Sequence, residues 1–467
     1  MKKILIAFGI FIFIVIAAAI LIPILYKDKI VAKAKAEINK SLNAKVNFSG
    51  FDLTIIKGFP NLTFCMDDFS ITGINEFEGD TLAFIKALDV RLSIWDVVGS
   101  SQMKIKSIFL DQPFINILVL KNGKANYDIA KPAASTSTGS TGNFRLALQS
   151  YTISSGRIIY DDESAGLKLK MENLDHSGSG DFTQDLFILK TKTTADKTSV
   201  SLGGIKYLSE AKAKLDADLE VDMKNSRYTF SENELTLNEL VMGFDGWVAM
   251  PGEDVSMDLK WDVKQNEFKN FISMIPGVYS SGFNDVKSSG KMALNGFVKG
   301  TYNEKKIPAY ALNLKIDKGM FQYPSLPTAV NNVNVDLNIN NPDGVTDHTV
   351  INLKKLHAEF GREPFDARLQ VTTPVSDANI DALVKGTINL ANIKNMIPLD
   401  KGTDLNGIIK ADVTMKGRYS AIQQKQYENF IAAGTINVSR MNYRSADYPL
   451  TTINNLLLTF NPQNVLL

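Results

Sequence analysis

Histidine and cysteine are the side chains best suited to nucleophilic or metal chemistry, and the chain has only His176, His348, His357 and Cys65. Metal binding needs ligands at convergent spacing, such as paired cysteines or histidines one helical turn apart. None of the four has such a neighbour in sequence. The chain also contains no phosphate-cradling glycine loop, no Gly-x-Ser-x-Gly elbow and no HExxH pair. Carboxylates can act as acid and base when two converge in a cleft. The groups to consider are Asp67-Asp68, Asp161-Asp162-Glu163, and Asp377 with Asp381. The middle group follows Tyr160 and runs into Ser164-Ala165-Gly166. That context reads as a solvated turn between strands, with a loose Ca²⁺ contact as the alternative. Cys65 lies in an apolar stretch, residues 62–66, and reads as a small buried hydrophobe, with a reactive thiol as the alternative. The expectation is a protein that is not an enzyme, with no cofactor and no metal.

If the chain does no bond chemistry, its function must come from shape and surface. The 467 residues are a length of about three domain-sized units. Apolar residues make up 45% and charged residues 22%, so the chain can bury a core. The formal net charge of +1 argues against a dedicated nucleic-acid binder, which would carry a strongly basic domain.

The N-terminus supplies the first element. Met1, Lys2 and Lys3 precede an apolar run over residues 4–25. As a helix it would span about 33 Å, close to the roughly 30 Å of a bilayer core. Ile4, Leu5, Phe8, Phe11, Phe13, Ile16, Ile20 and Leu25 would face lipid. A cleaved signal peptide is the competing reading, with Ala17, Ala18 and Ala19 as its cleavage site, but the run continues well past them. Lys27, Lys29, Lys33 and Lys35 outnumber Lys2 and Lys3, and charge counting alone would keep the body in the cytoplasm. Long domains translocate largely regardless of charge, so export is the expectation. Residues 28–43 then predict an amphipathic helix, because Ile30, Ala34, Ile38 and Leu42 form one stripe. It would pack on the following domain or cap the membrane-proximal end of an apolar groove.

Beyond residue 45, alternation with a period of two dominates. Leu88, Val90, Leu92 and Ile94 are one set; Val333, Val335, Leu337 and Ile339 are another; residues 211–223 are a third. Only a strand places such residues on one face, and one-sided alternation predicts antiparallel sheets. Asn122-Gly123, between runs 114–120 and 125–127, predicts a hairpin. Short helices are predicted near 267–275 and 392–397, each stopped before a proline, Pro276 and Pro398. Few helices leave the apolar faces in need of cover. By patterning alone, a closed sandwich is the simpler solution; an open curved sheet holding lipid is the other. Residues 133–142, rich in Ser, Thr and Gly, predict a flexible connection.

The C-terminal half repeats itself. GKMALNGFVKGTY from Gly290 and GIIKADVTMKGRY from Gly407 share glycine spacing. Val330-Asn331-Asn332-Val333 is echoed by Ile453-Asn454-Asn455-Leu456, and a fainter member opens at Gly156. Repetition predicts an elongated, stacked architecture. The second copy stops at Asn461-Pro462, so the chain is expected to be a piece of a longer one, with a short edge strand as the alternative. The organisation is therefore an anchor at 1–26, a β region with its leading helix at 27–131, a linker at 132–143, a first β unit at 144–265 and repeat units at 266–388 and 389–467.

Residues 58–62 (GFPNL), followed by 82–128 with Pro113 and the Gly123…Asn126 turn, resemble the N-terminal region of the AsmA family. In that family an fP-x-l element, a long alternating strand, a Pro-containing strand and a dG-x-x-N turn follow one another. Pro60, the 88–94 strand, Pro113 and Gly123 with Asn126 match those places. The resemblance implies an inner-membrane anchor with the body in the periplasm and a role in outer-membrane biogenesis. It implies membrane phospholipids as cargo, carried in a β-built groove lined here by the 88–94 and 333–339 sets. The alternatives are a scaffold that aids the assembly and targeting of outer-membrane proteins, with those assembly components as partners, and a surface-exposed adhesive or structural β protein tethered by its anchor. The fold expectation is thus a mainly β chain whose repeated antiparallel units form a curved groove.

Overall fold

The computed structural model describes residues 35–36, 39, 42–54, 56–59, 61–93, 103–129, 131, 144–145, 148–252, 254–264, 266–274, 285–303, 305–323, 326–396, 399, 402–445, 449–461 and 464–466. The anchor run 4–25, with Ile4, Leu5, Phe8, Phe11, Phe13, Ile16, Ile20 and Leu25, lies outside them. So do Ile94, Pro60, Pro276, Pro398, the linker 132–143 and most of the leading helix. Among the described residues no helix is long and apolar enough to cross a membrane. The chain forms two compact units, residues 1–220 and 221–467.

In the first unit the edge is a strand broken in two. β1 (Lys45–Asn47) and β2 (Gly50–Thr54) pair successively along β3 (Asn61–Thr72). β4 (Thr81–Ser93) and β5 (Met103–Val119) follow as antiparallel neighbours. Next to β5 the sheet departs from the antiparallel expectation. β6 (Phe144–Arg145) and β7 (Ser150–Asp162) both run parallel to β5. The reason lies at Asn122-Gly123. Gly123 adopts φ +81° and the chain turns, yet only Val119 and Ala125 bridge. The chain then re-enters at the end where β5 began, and such a crossover makes neighbours parallel. β8 (Leu167–Ser179), β9 (Leu186–Leu202) and β10 (Ile205–Asp222) extend the sheet.

The second unit is an antiparallel meander, each strand pairing with the next. Its strands are β11 (Arg227–Leu237), β12 (Leu240–Ala249), β13 (Val255–Val263), β14 (Lys287–Tyr302), β15 (Ala309–Gln322), β16 (Val330–Asn341), β17 (Val350–Phe360), β18 (Glu363–Thr372), β19 (Asn379–Asn389), β20 (Asp404–Arg418), β21 (Phe430–Arg444), β22 (Thr451–Asn461) and β23 (Asn464–Leu466). The short helices expected from sequence are present at Phe268–Ile272 and Leu390–Ile393; a third, Tyr419–Gln423, has no counterpart in the periodicity.

The sequence repeat has a structural basis in backbone conformation. Gly290 and Gly407 sit at φ +103° and +115°. A Cβ on Gly290 would meet Gly319 Cα at 2.6 Å, and one on Gly407 would meet Met441 Cα at 2.6 Å. Each glycine marks a register slip against the next strand, facing a residue with left-handed backbone, Lys318 or Arg440. The two repeats therefore share one bulge, and only glycine fits its tight side.

Candidate functional site

The strongest constellation is a row of apolar side chains running across strands. Leu294 lies opposite Leu314, Leu314 opposite Leu337, Leu337 opposite Leu353, and Leu353 opposite Leu369. The row continues through Ala382 and Met415 to Ala432. Directly opposed residues share a face, so one side of the sheet from β14 to β21 carries this row. A second row flanks it, through Met292, Ile316, Val335, Leu356, Ala367, Val384 and Val413.

Cover is uneven. Phe268 and Ile272, presented by the first short helix, pack with buried Met292, Ile316, Phe321 and Val330; Val333 and Val335 lean on that cluster. At the other end of the row, Ala421 of the third helix packs with Phe430, Ala432 and Met415. Leu337, Leu353, Leu369 and Ile339 in between are half-buried and belong to neither cluster. Of the lining residues read from sequence, Val333, Val335, Leu337 and Ile339 thus share one face, and only the last two stay open.

The reverse face has the opposite character. Asn313 donates from Nδ2 to Asn295 Oδ1 at 2.9 Å, and Asn338 donates to Asn313 Oδ1 at 2.6 Å. Asn352, Gln370 and Asp381 continue the line on β17, β18 and β19. Asp381 takes Arg368 at 3.2 Å and Lys416 at 3.4 Å. Amides and ion pairs hold this side in water. The ladder went unread because each asparagine is only the polar half of its own strand's alternation.

The first unit has a shorter version. Phe64, Val90 and Ile108 form one row, and Met66, Leu88, Leu110 and Ile153 another. Leu88 and Val90 are half-buried, whereas Leu92 is 3% exposed and so is core.

The titratable residues serve structure at these positions. His176 shares its ring nitrogens with Thr193 Oγ1 at 2.8 Å and Tyr151 Oη at 3.1 Å, and burial holds its pKa below the ordinary value. His357 meets Asp366 at 2.7 Å and His348 meets Asp343 at 2.7 Å. Asp162 accepts from the Ser164 hydroxyl and the Ser164 and Ala165 N–H groups, which lower its pKa and fold the turn read from the acid cluster. Burial, with Asp89 beside it, pushes the Cys65 thiol up to about 11. Among the described residues no three His, Cys, Asp or Glu side chains converge as a metal site.

Compared with known proteins, residues 1–247 match the model of the AsmA family, a span that includes the 58–128 motifs. No curated protein and no solved structure matches the chain.

Proposed function

The chain belongs to the AsmA family, and on that premise we propose that it is an inner-membrane-anchored, periplasmic protein that carries phospholipid along the apolar face of its sheet in the service of outer-membrane biogenesis. The observation that carries the reading is the half-buried middle of the apolar row, Leu337, Leu353 and Leu369, on a sheet whose reverse side is an amide ladder. An acyl chain laid there gains about 0.8 kcal/mol per buried CH₂. Its head group stays at the wet margin and avoids the desolvation cost of a buried charge. The wall provides shape and no chemistry, so many positions share the work and an ionised side chain in the row obstructs it.

Two measurements test this. A photo-crosslinker at Leu337, on the apolar face, is compared with one at Asp336, on the reverse face, in cells. The expected result is a phospholipid adduct at Leu337 and none at Asp336. Adducts from Leu337 only to a second protein would support the scaffold role instead. In parallel, Leu337→Glu with Leu353→Glu is expected to abolish retained lipid, read by mass spectrometry of the washed protein, at a cost of about 2–3 kcal/mol in urea unfolding, since two leucines are lost and two like charges face each other across β16 and β17. Undiminished lipid in the folded double variant would exclude the face as its seat.

A further inference from the structure

The turn between β2 and β3 exposes two large apolar side chains: Ile56 is 92% exposed and Phe59 is 82% exposed. The 3₁₀ turn Ile56–Gly58 that presents them is braced from behind. Ile56 N–H donates to Thr54 Oγ1 at 3.2 Å, and Lys57 Nζ reaches Asp89 at 3.9 Å and Cys65 Sγ at 3.8 Å. Gly58 lies so close to Thr63 that a Cβ would fall 2.5 Å from its Oγ1. Polar groups thus hold the turn inward while its apolar groups point away, the reverse of an ordinary surface loop.

Its position follows from the register. Thr63, Arg91, Ser107, Ser150, Ser179 and Lys190 form a row near one end of the first unit's sheet. The turn lies beyond that row, and so do Leu186 and Ile188, 57% and 48% exposed on β9. Exposed side chains at the other end include Tyr127 and Tyr207, which carry hydroxyls, and Leu202, 45% exposed.

The incoming chain heads for the same end. Asn43 N–H donates to the Ile129 carbonyl, Asn39 bonds both the N–H and the carbonyl of Val46, and Lys35 Nζ reaches the Phe48 carbonyl at 2.6 Å. Followed backward from Asn43 to Lys35, the chain moves along β1 towards β2 and its turn. Six residues of strand separate Phe48 from Thr54, about 20 Å. Ten residues separate Lys35 from Leu25, where the apolar run ends, and they span about 15 Å if helical and about 33 Å if extended. That length is enough for the Ile56–Gly58 turn to stand at the boundary of a bilayer holding residues 4–25.

We propose that the turn carrying Ile56 and Phe59 dips into the interfacial layer of the same bilayer that holds residues 4–25, seating this end of the first unit's sheet on the lipid surface. Large apolar side chains held outward on a braced turn are the chemistry of an interfacial contact at the acyl boundary. The inference rests on residues 4–25 being a membrane anchor.

The test uses the full chain in vesicles of phosphatidylethanolamine and phosphatidylglycerol, with an environment-sensitive fluorophore placed by Ile56→Cys, Phe59→Cys, Tyr207→Cys or Phe11→Cys. Wild type labelled in parallel sets the background from buried Cys65. Expected are blue-shifted emission and its loss with shallow doxyl-labelled lipid at positions 56 and 59, aqueous emission at 207, and quenching by deep doxyl lipid at 11. Aqueous emission at 56 and 59 with quenching at 11 overturns the turn's insertion and leaves the anchor standing. Blue-shifted emission at 56 and 59 that doxyl lipid does not quench marks a protein contact and overturns it too. No quenching at 11 removes the anchor and the inference together.

Discussion

The demands on single residues are sharpest where the backbone leaves no room. Gly407 combines φ +115° with a backbone atom 2.6 Å from where a Cβ would stand. Gly407→Ala should cost about 2–4 kcal/mol, because left-handed strain and a clash with a neighbouring strand add. Gly402, at φ +89° with open space around it, isolates the strain, and Gly402→Ala should cost about 1 kcal/mol. Urea unfolding of the two variants separates these effects, and equal losses would show that the clash relaxes. His176 supplies a pH dependence. Burial lowers its folded pKa below the ordinary value of 6.5. As pH falls through about 6.5 the unfolded chain therefore takes up the proton first and stability drops, until the folded-state pKa is passed. The loss between pH 8 and 5.5, read by urea unfolding at each pH, should shrink in His176→Gln.

At the scale of elements, the short helices decide which part of the apolar face is core. Phe268 is 4% exposed and stacks on Phe271 while meeting Phe321. Phe268→Ala should cost about 3 kcal/mol or more, against about 1 kcal/mol for Leu337→Ala on the open stretch of the same face. Thermal or urea unfolding distinguishes a lid from a bystander. Much of this level was legible beforehand. The alternation at 333–339 places those side chains on one face whatever the partners are, and the helices before Pro276 and Pro398 announce themselves by a change of period. Partners were not legible. Nothing in residues 333–339 says that Leu337 faces Leu314 and Leu353, since register depends on slips at Lys318, Asn332 and Lys354. The left-handed residues Asp68, Gln112, Ser155 and Asn173 gave no warning either, because none is glycine. Leu92 alternates as faithfully as Val90 yet is core, and the parallel β5–β7 pair arose from a crossover that no local pattern encodes.

Across the whole molecule, cohesion in the second unit passes mainly from each strand to the next. Removing a stretch that begins and ends at equivalent places should then leave a working sheet. Residues 290–406 are such a stretch, since Gly407 would replace Gly290 and six strands, β15 to β20 by count of strand starts, would leave with direction and face preserved. The shortened chain is expected to unfold cooperatively with a smaller urea m-value, because m follows the surface exposed on unfolding. Loss of cooperative unfolding would mean that distant strands depend on one another.

The same arithmetic gives the apolar row a dimension. From β14 to β21 it takes seven steps between strands, each about 4.8 Å, for a length of about 34 Å. One full repeat contributes six such steps, about 29 Å. Distance is therefore counted out in strands, and a chain of this design changes its reach in fixed increments. Duplicating a repeat would lengthen the span by nearly one bilayer core, and each new strand would need to fit only the strand before it.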